Sequence, residues 1–388
     1  QRPMSGIPFM ISRIAENGTL LESHVVITDA NGSFDSSASH ALHTTRTNIN
    51  DAAVSIRVNG GYTVDESMLD SDAGVWFGSA QDGSWIFPDN SYGAFPDSTK
   101  CKYVFEELPV RANEGKALVR FEAYAHAARP TTIDLGTVGN TTPTLATTAR
   151  DAADGDKTVS RDIDARVIDS VSYSGLVAGQ TYTIEAYLAN AATGDIVCDS
   201  DGNAAFSSIS LTPETSSGSH ELAFSFDATS LRDGDRVVVC ERLLEGGRLL
   251  AQHEDLEDES QTVTITQPGI ESRAADGNDG DSLIVGDIGT TIIDHVTYTG
   301  LTPGAEYELT GVIMDRANAQ PFQDTGGVVT STLSFTPEAS SGSIDMEFIV
   351  DTCGLDAGTK LVVFERLTRN GTLIASHEDY HDAEQTVS

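Results

Sequence analysis

The stretch Pro143–Asp151, PTLATTARD, followed by Asp-Gly-Asp at 154–156, returns as Pro268–Asp276, PGIESRAAD, followed by Asp-Gly-Asp at 279–281. The offset is 125 residues and the match runs without a gap. Further on, IDSVSYSGL around Asp169 falls on IDHVTYTGL around Asp294 at the same offset. Past Tyr182 and Tyr307 one residue drops out, and later matches sit 124 apart: Pro213 on Pro337, Glu241 on Glu365, His253 on His377, Gln261 on Gln385. A unit this long is a whole domain, since solenoid units run roughly 20–50 residues.

Each copy is built from short alternating apolar runs separated by turn signals. TYTIEAYLA, ELAFSFDA, DRVVVCERLL and QTVTIT have partners in EYELTGVIM, DMEFIVDT, TKLVVFERLT and QTVS. Seven or so strands in about 125 residues, with no long 3.6-residue period, predict an immunoglobulin-like sandwich. The front of the chain reads likewise, with IPFMISRI, ESHVVITD, AAVSIRVN, YVFEELPV and ALVRFEAYAH as strands. TTIDLGTVGNTTP reads as a last strand and a short linker. The expected fold class is therefore all-β, three tandem β-sandwich domains in an elongated, monomeric rod, divided at 1–139, 140–266 and 267–388.

The 59 acidic and 23 basic side chains leave a net charge of −36. That balance disfavours nucleic acid and anionic membrane as partners, because neither offers cations to match it. No apolar run is long enough to span a bilayer, and no signal peptide opens the chain. Gln1 begins abruptly, so secretion and anchoring signals are expected outside these residues. Four cysteines, Cys101, Cys198, Cys240 and Cys353, are too few and too uneven for a disulfide scaffold. Cys240 aligns with Phe364, which suggests a space-filling role; a Cys198–Cys240 bridge stays open as an alternative.

Five polar positions stand out in each copy: Thr147, Asp169, Glu241, His253 and Gln261 in the first, and Ser272, Asp294, Glu365, His377 and Gln385 in the second. Thr147 alternates with Leu145 and Ala149, so it faces the apolar side of its strand, and Ser272 repeats that placement. Glu241 closes Val-Val-Val-Cys and Glu365 closes Leu-Val-Val-Phe, where a carboxyl is at least partly buried and inclined to stay protonated. A single Glu after a strand core is ordinarily a hydrogen-bond anchor, and Thr or Gln in a strand is ordinarily just a strand residue. Retention of the whole set in two otherwise diverged copies favours chemistry.

Those residues carry a resemblance. VVVCE (Val237–Glu241) and LVVFE (Leu361–Glu365) resemble the strand that names the VaFE repeats, the ester-bond-forming immunoglobulin-like domains of Gram-positive surface adhesins. P-x-x-x-T-T-A, D-x-V-x-Y-x-G-L, H-x-D-x5-Q-T-V and the preceding IDLGTVGN match as well, over about residues 140–388. The resemblance implies an autocatalytic ester between Thr147 and Gln261, assisted by Asp169, Glu241 and His253, and a Ser272–Gln385 ester assisted by Asp294, Glu365 and His377. It implies a cell-wall-anchored extracellular stalk, no cofactor, no metal, and no enzymatic turnover on other molecules. A positioned His can activate the hydroxyl, and a protonated acid can polarise the carboxamide. Ser272 lacks the methyl that restricts a threonine rotamer.

GIPFMISRI, HVVITDANGSF, GVWFG and YVFEELPVRANEGKAL resemble the B-type, transthyretin-like module of pilins and adhesins, in which Glu107 would promote a Lys–Asn/Asp isopeptide bond. With only Lys100, Lys102 and Lys116 ahead of Lys157, no such bond is expected, and Glu107 reads as a remnant or an anchor. A Cys101–Gln81 thioester has the residue order of adhesin thioesters reversed. Trp76, Phe77, Trp85, Ile86 and Phe87 read as core under a loop, or as a surface for an unidentified host ligand, which would make the repeats spacers. An extracellular hydrolase is disfavoured by the absence of a glycine elbow or metal spacing. DAADGDK and DGNDGDS read as solvated turns rather than Ca²⁺ loops.

Overall fold

The computed structural model describes residues 3–15, 17–34, 46–58, 61–75, 79–81, 84–86, 100–126 and 136–388. The chain is all-β. At the front, β1 (Pro8–Ile14), β2 (Leu20–Ile27), β3 (Lys100–Glu107) and β4 (Arg120–His126) form one antiparallel sheet in the order β2-β1-β3-β4. Ile7, Phe9, Ile11 and Phe105 pack on one face with Phe121 and Phe34. The described residues add two short hairpins and do not by themselves complete a transthyretin-like pair of sheets.

The first repeat comprises β5 (Thr144–Asp151), β6 (Thr158–Ser160), β7 (Ala165–Ser174), β8 (Tyr182–Asn190), β9 (Phe206–Leu211), β10 (Gly218–Phe226), β11 (Arg236–Glu245), β12 (Arg248–His253) and β13 (Thr262–Thr266). One sheet runs β10-β7-β5; the other runs β6-β13-β11-β8-β9, with β12 also on β11. Strands β7, β8 and β10 bury every second residue, as a half-buried sheet face requires. Val167, Val171, Tyr182, Ile184, Phe224, Val237 and Val263 meet between the sheets.

The second repeat follows the same plan. Strands β14 (Gly269–Asp276), β15 (Thr290–Thr299) and β18 (Gly342–Val350) form one sheet. Strands β16 (Tyr307–Asp315), β17 (Thr330–Phe335), β19 (Leu361–Arg369), β20 (Thr372–His377) and β21 (Thr386–Val387) belong to the other. Its core is separate, centred on Ile292, Tyr307, Ile313, Phe348 and Val363.

The individual expectations fare differently. In TTIDLGTVGNTTP, Gly136–Asn140 is irregular, as a linker is, and an isolated bridge joins Thr141 to Ala117; residues 131–135 lie outside the described residues. The Asn140 side chain helps to hold the linker. Asn140 donates to Glu107 at 2.7 Å, and buried Glu107 also accepts from Asn113 (2.8 Å) and the Val119 N–H (3.0 Å). Glu107 is thus an anchor for the linker. Cys198, exposed, and Cys240, buried, are free thiols. The side chains proposed for a Cys101–Gln81 thioester, and the Trp76–Phe87 cluster, lie outside the described side chains.

The glycine of D-x-V-x-Y-x-G-L has a packing reason. Gly175 has φ +78°, and a Cβ there would sit 2.9 Å from the Thr142 carbonyl oxygen. Gly300 has φ +69°, and its Cβ would sit 3.1 Å from the Gln267 carbonyl oxygen. Each glycine lets the incoming linker lie against its repeat in a left-handed conformation that other residues resist. Arg248 continues the first junction by bonding the carbonyls of Asn113 (3.2 Å) and Lys116 (2.5 Å). At the second junction Arg369 pairs with Asp162. Gly175→Ala is expected to destabilise the first repeat by at least about 1 kcal/mol, measured as a lowered denaturant midpoint in an uncrosslinkable Thr147→Ala background.

Candidate functional site

The site lies where the two sheets of each repeat face one another. From the smaller sheet, Thr147 pairs across to Val171 and Ala149 to Asp169, so Thr147 and Asp169 both point inward. From the larger sheet comes Glu241, in the middle of β11. That strand changes partner at this point: residues 236–238 pair with β13, whereas 241–245 pair with β12. Glu241 stands directly opposite His253, the last residue of β12. The chain then leaves the sheet edge and returns to it at Gln261. This detour explains the eight-residue spacing. It also moves Gln261 and Gln385 off the last strand, where the sequence reading put them, and into the turn just before it.

Asp169, Glu241 and Gln261 are fully buried, and Thr147 is 5% exposed. Asp294, Glu365 and Gln385 are fully buried too, with Ser272 8% exposed. The sequence-predicted residues are therefore brought together in both copies, with each His at the rim. Burial first, then repulsion from Asp169, drives the Glu241 carboxyl far above its ordinary range. Burial likewise raises Asp169, against the hydrogen bond from Glu241. Glu365 and Asp294 behave the same way for the same reasons. Beyond an interaction with the Thr148 N–H, Asp169 and Oε1 of Glu241 have no donor, and a proton shared by the two carboxyls would satisfy the pair.

The second copy shows the closer approach. Ser272 Oγ lies 3.3 Å from His377 Nδ1, and the Ser272 N–H donates to the same nitrogen at 3.1 Å. Gln385 Nε2 lies 3.4 Å from Ser272 Oγ and donates to Glu365 Oε2 (2.8 Å) and the His377 carbonyl (3.0 Å). In the first copy Gln261 Nε2 donates to Glu241 Oε2 at 2.5 Å, while Thr147 Oγ1 and His253 Nδ1 have no partner.

Three features escaped the sequence reading. His253 Nε2 contacts Asp258 at 3.0 Å, and His377 Nε2 contacts Asp382 at 3.2 Å. A carboxylate on Nε2 holds that proton and leaves Nδ1 as a base facing the hydroxyl. The signal was available, since an Asp stands five residues after each His. The Asp379 N–H points to Gln385 Oε1 at 3.4 Å, where negative charge would develop on the carboxamide oxygen. Finally, the detour has its own seat on the outer face of β11 and β19. Leu256 packs on Val238 and Cys240, and the Tyr380 ring lies 4.5 Å from the Phe364 ring. Cys240 does fill space there, as its alignment with Phe364 suggested.

This arrangement can perform acyl transfer within the chain. The hydroxyl proton passes to His Nδ1, and the oxygen attacks the Gln Cδ. The shared acid proton or the imidazolium protonates Nε2, the C–N bond breaks, and ammonia leaves behind an ester. The Asp-Gly-Asp turn is a separate feature. Carboxylate oxygens of Asp151, Asp154 and Asp156 lie within 4.8 Å of one another, and burial pushes Asp151 up to about 6. Each of the three also accepts a backbone N–H of its own turn.

With this geometry, the chain belongs to the family of T-Q ester bond containing domains, which matches residues 143–265 and again 268–388. No curated protein matches the chain. Solved structures similar to it include a bacterial adhesin from Mobiluncus mulieris containing intramolecular disulfide, isopeptide and ester bond cross-links. That match has 15% identity over 57% of this chain and 80% of that one, with a TM-score of 0.27. Others are the C-terminal domains of the Streptococcus agalactiae polypeptide BspA (12% identity, 61% and 98% covered, TM-score 0.30) and of Streptococcus pyogenes AspA (11%, 60% and 97%, 0.30). Scores this low carry no functional argument; the family match does.

Two outcomes are expected. In time courses after cell-free synthesis, Glu241→Gln and Asp258→Asn should each slow appearance of a joined Thr147–Gln261 peptide by about a hundredfold or more. In a chain blocked by Thr147→Ala and Ser272→Ala, the raised carboxyl pairs set the pH response. Their contribution to folding is complete below the ordinary carboxylate range and is lost as pH rises toward their folded values. The thermal midpoint should therefore fall between about pH 5 and pH 9, and a midpoint that rises over that range contradicts a shared proton.

Proposed function

We propose that this chain is a structural segment of a bacterial cell-surface adhesin in which each repeat is closed by a self-made ester, Thr147–Gln261 in the first and Ser272–Gln385 in the second. The observation that carries the reading is the repeated burial of a hydroxyl and a carboxamide beside a paired carboxyl dyad and a carboxylate-oriented His. A dry site of this kind supplies the effective concentration and polarisation that an unreactive amide needs. In this reading Thr147 and Ser272 are nucleophiles, Gln261 and Gln385 electrophiles, and His253 and His377 bases. Asp169 with Glu241, and Asp294 with Glu365, are the proton-sharing acids. Each bond forms once, so the protein is its own substrate and turns nothing over.

The placement of the bonds fits a load-bearing stalk outside the cell. β5 begins the first repeat at the edge of the smaller sheet, and Gln261 leads into the last strand of the larger one. An ester there joins the two sheets and connects chain entry to chain exit, so tension bypasses the hydrogen-bonded strands between them. We divide the chain accordingly at 139/140 and 266/267, the front module preceding two covalently closed repeats.

Intact mass in denaturant is the direct test. The folded chain should be lighter than its sequence by two ammonia molecules; Thr147→Ala should restore one and Ser272→Ala the other. A full-weight chain whose peptide map shows all four residues in linear peptides refutes the proposal.

A further inference from the structure

The turn that carries each reactive glutamine must close on the strand that carries the hydroxyl, and the two copies close it differently. In the second, the main chain does so: the Ala274 N–H donates to the Glu384 carbonyl at 2.8 Å. An ion pair at 3.5 Å between Arg273 and Glu384, both substantially exposed, lies beside it. In the first, the equivalent carbonyl, that of Ser260, is taken instead by the ammonium of Lys157, at 2.6 Å. The same ammonium donates to the Ala149 carbonyl at 2.5 Å. Ala149 lies two residues after Thr147 and Ser260 lies one before Gln261, so one side chain grips both sides of the reacting pair. Ser260 Oγ adds a bond to the Thr147 carbonyl at 3.2 Å.

The replacements go together. Where the first copy has Thr148, Lys157 and Ser260, the second has Arg273, Ser282 and Glu384. A serine at 282 cannot reach both carbonyls, and there the turn docks through its backbone. Resting on the ester reading above, we infer that Lys157 is a positioning residue for the first repeat alone, clamping the Gln261 turn onto the Thr147 strand so that hydroxyl and carboxamide meet. Its charge has a second effect in the same direction. The ammonium favours the ionised form of Asp169, which leaves the shared proton on Glu241, beside the departing nitrogen. Lys157 touches neither reacting atom, so its role is exerted through the geometry of the turn and the charge on Asp169.

The two sites in one chain are controls for each other. The 388-residue chain is made by cell-free synthesis and quenched in acid at intervals. Peptide mapping then follows the 147–261 and 272–385 crosslinks separately. Lys157→Met, which keeps the stem and removes the donors, should slow the first crosslink by about tenfold and leave the second unchanged. Lys157→Arg, which keeps the charge and the donors, should restore at least half of the lost rate. Arg273→Met should change the second crosslink by less than about threefold, since an exposed ion pair holds little. Unchanged 147–261 kinetics in Lys157→Met overturns the inference. So does equal slowing at both sites, or slowing that Lys157→Arg does not restore. Absence of both crosslinks in the unsubstituted chain refutes the ester reading instead, so the two failures are distinguishable.

Discussion

Everything in each repeat is arranged around two carboxyl groups that cannot both be ionised. Asp169 comes from one sheet and Glu241 from the other, and both are fully buried. Separately, each would be a heavy penalty in a sandwich core, and together as anions they would drive the sheets apart. One proton between them turns the liability into a contact across the sheet interface. It also places, at neutral pH, a buried acid next to a base at the rim of the core. A purely structural core has no use for such a pair when Leu or Val would fill the space better. Its presence in both copies is what the proposed crosslinking chemistry would call for.

Placement of the remaining groups follows from how one strand edge is shared. β11 is lined first by β13 and then by β12, and the chain between them must leave the edge and come back. His253 is the last residue before the departure and Gln261 the last before the return, so both arrive beside Glu241 without any helix or long loop. The detour stays put because Leu256 or Tyr380 packs on the outer face of the same strand. This accounts for the apolar run that precedes each glutamate: its alternate members serve the core on one side and the detour on the other. Both faces of the strand are buried, and the carboxyl is buried with them.

The all-β class, the two-copy organisation and the ten polar residues that the fold brings together were legible because repetition marked them and period-2 burial is strong in β7, β8 and β10. Asp258 and Asp382 were less visible. They sit in acid-rich runs that look like any solvated loop, and only three-dimensional proximity to a His ring separates them from Asp255 or Glu257. The reading of TTIDLGTVGNTTP as a last strand and a short linker is met at Gly136–Asn140, which is irregular, while residues 131–135 lie outside the described residues. In the fold Asn140 finds its partner in the Glu107 side chain rather than in a ladder. The glycine of the D-x-V-x-Y-x-G-L segment was visible as a motif, but its reason, room for the preceding linker, depends on a contact between parts of the chain that sequence spacing does not reveal.

In the proposed reading, closing the chain between Thr147 and Gln261 also changes how far it can be drawn out. An unfolded β-sandwich repeat lengthens by nearly its full contour. The segment from 147 to 261 would extend by roughly 400 Å at about 3.5 Å per residue. With an ester across its ends that segment becomes a side loop, and its contour no longer lies on the line between the neighbouring domains. The repeat is then a link of nearly fixed length, whether or not its strands stay paired. A chain made of such links has a reach set by the number of repeats rather than by the pull upon it.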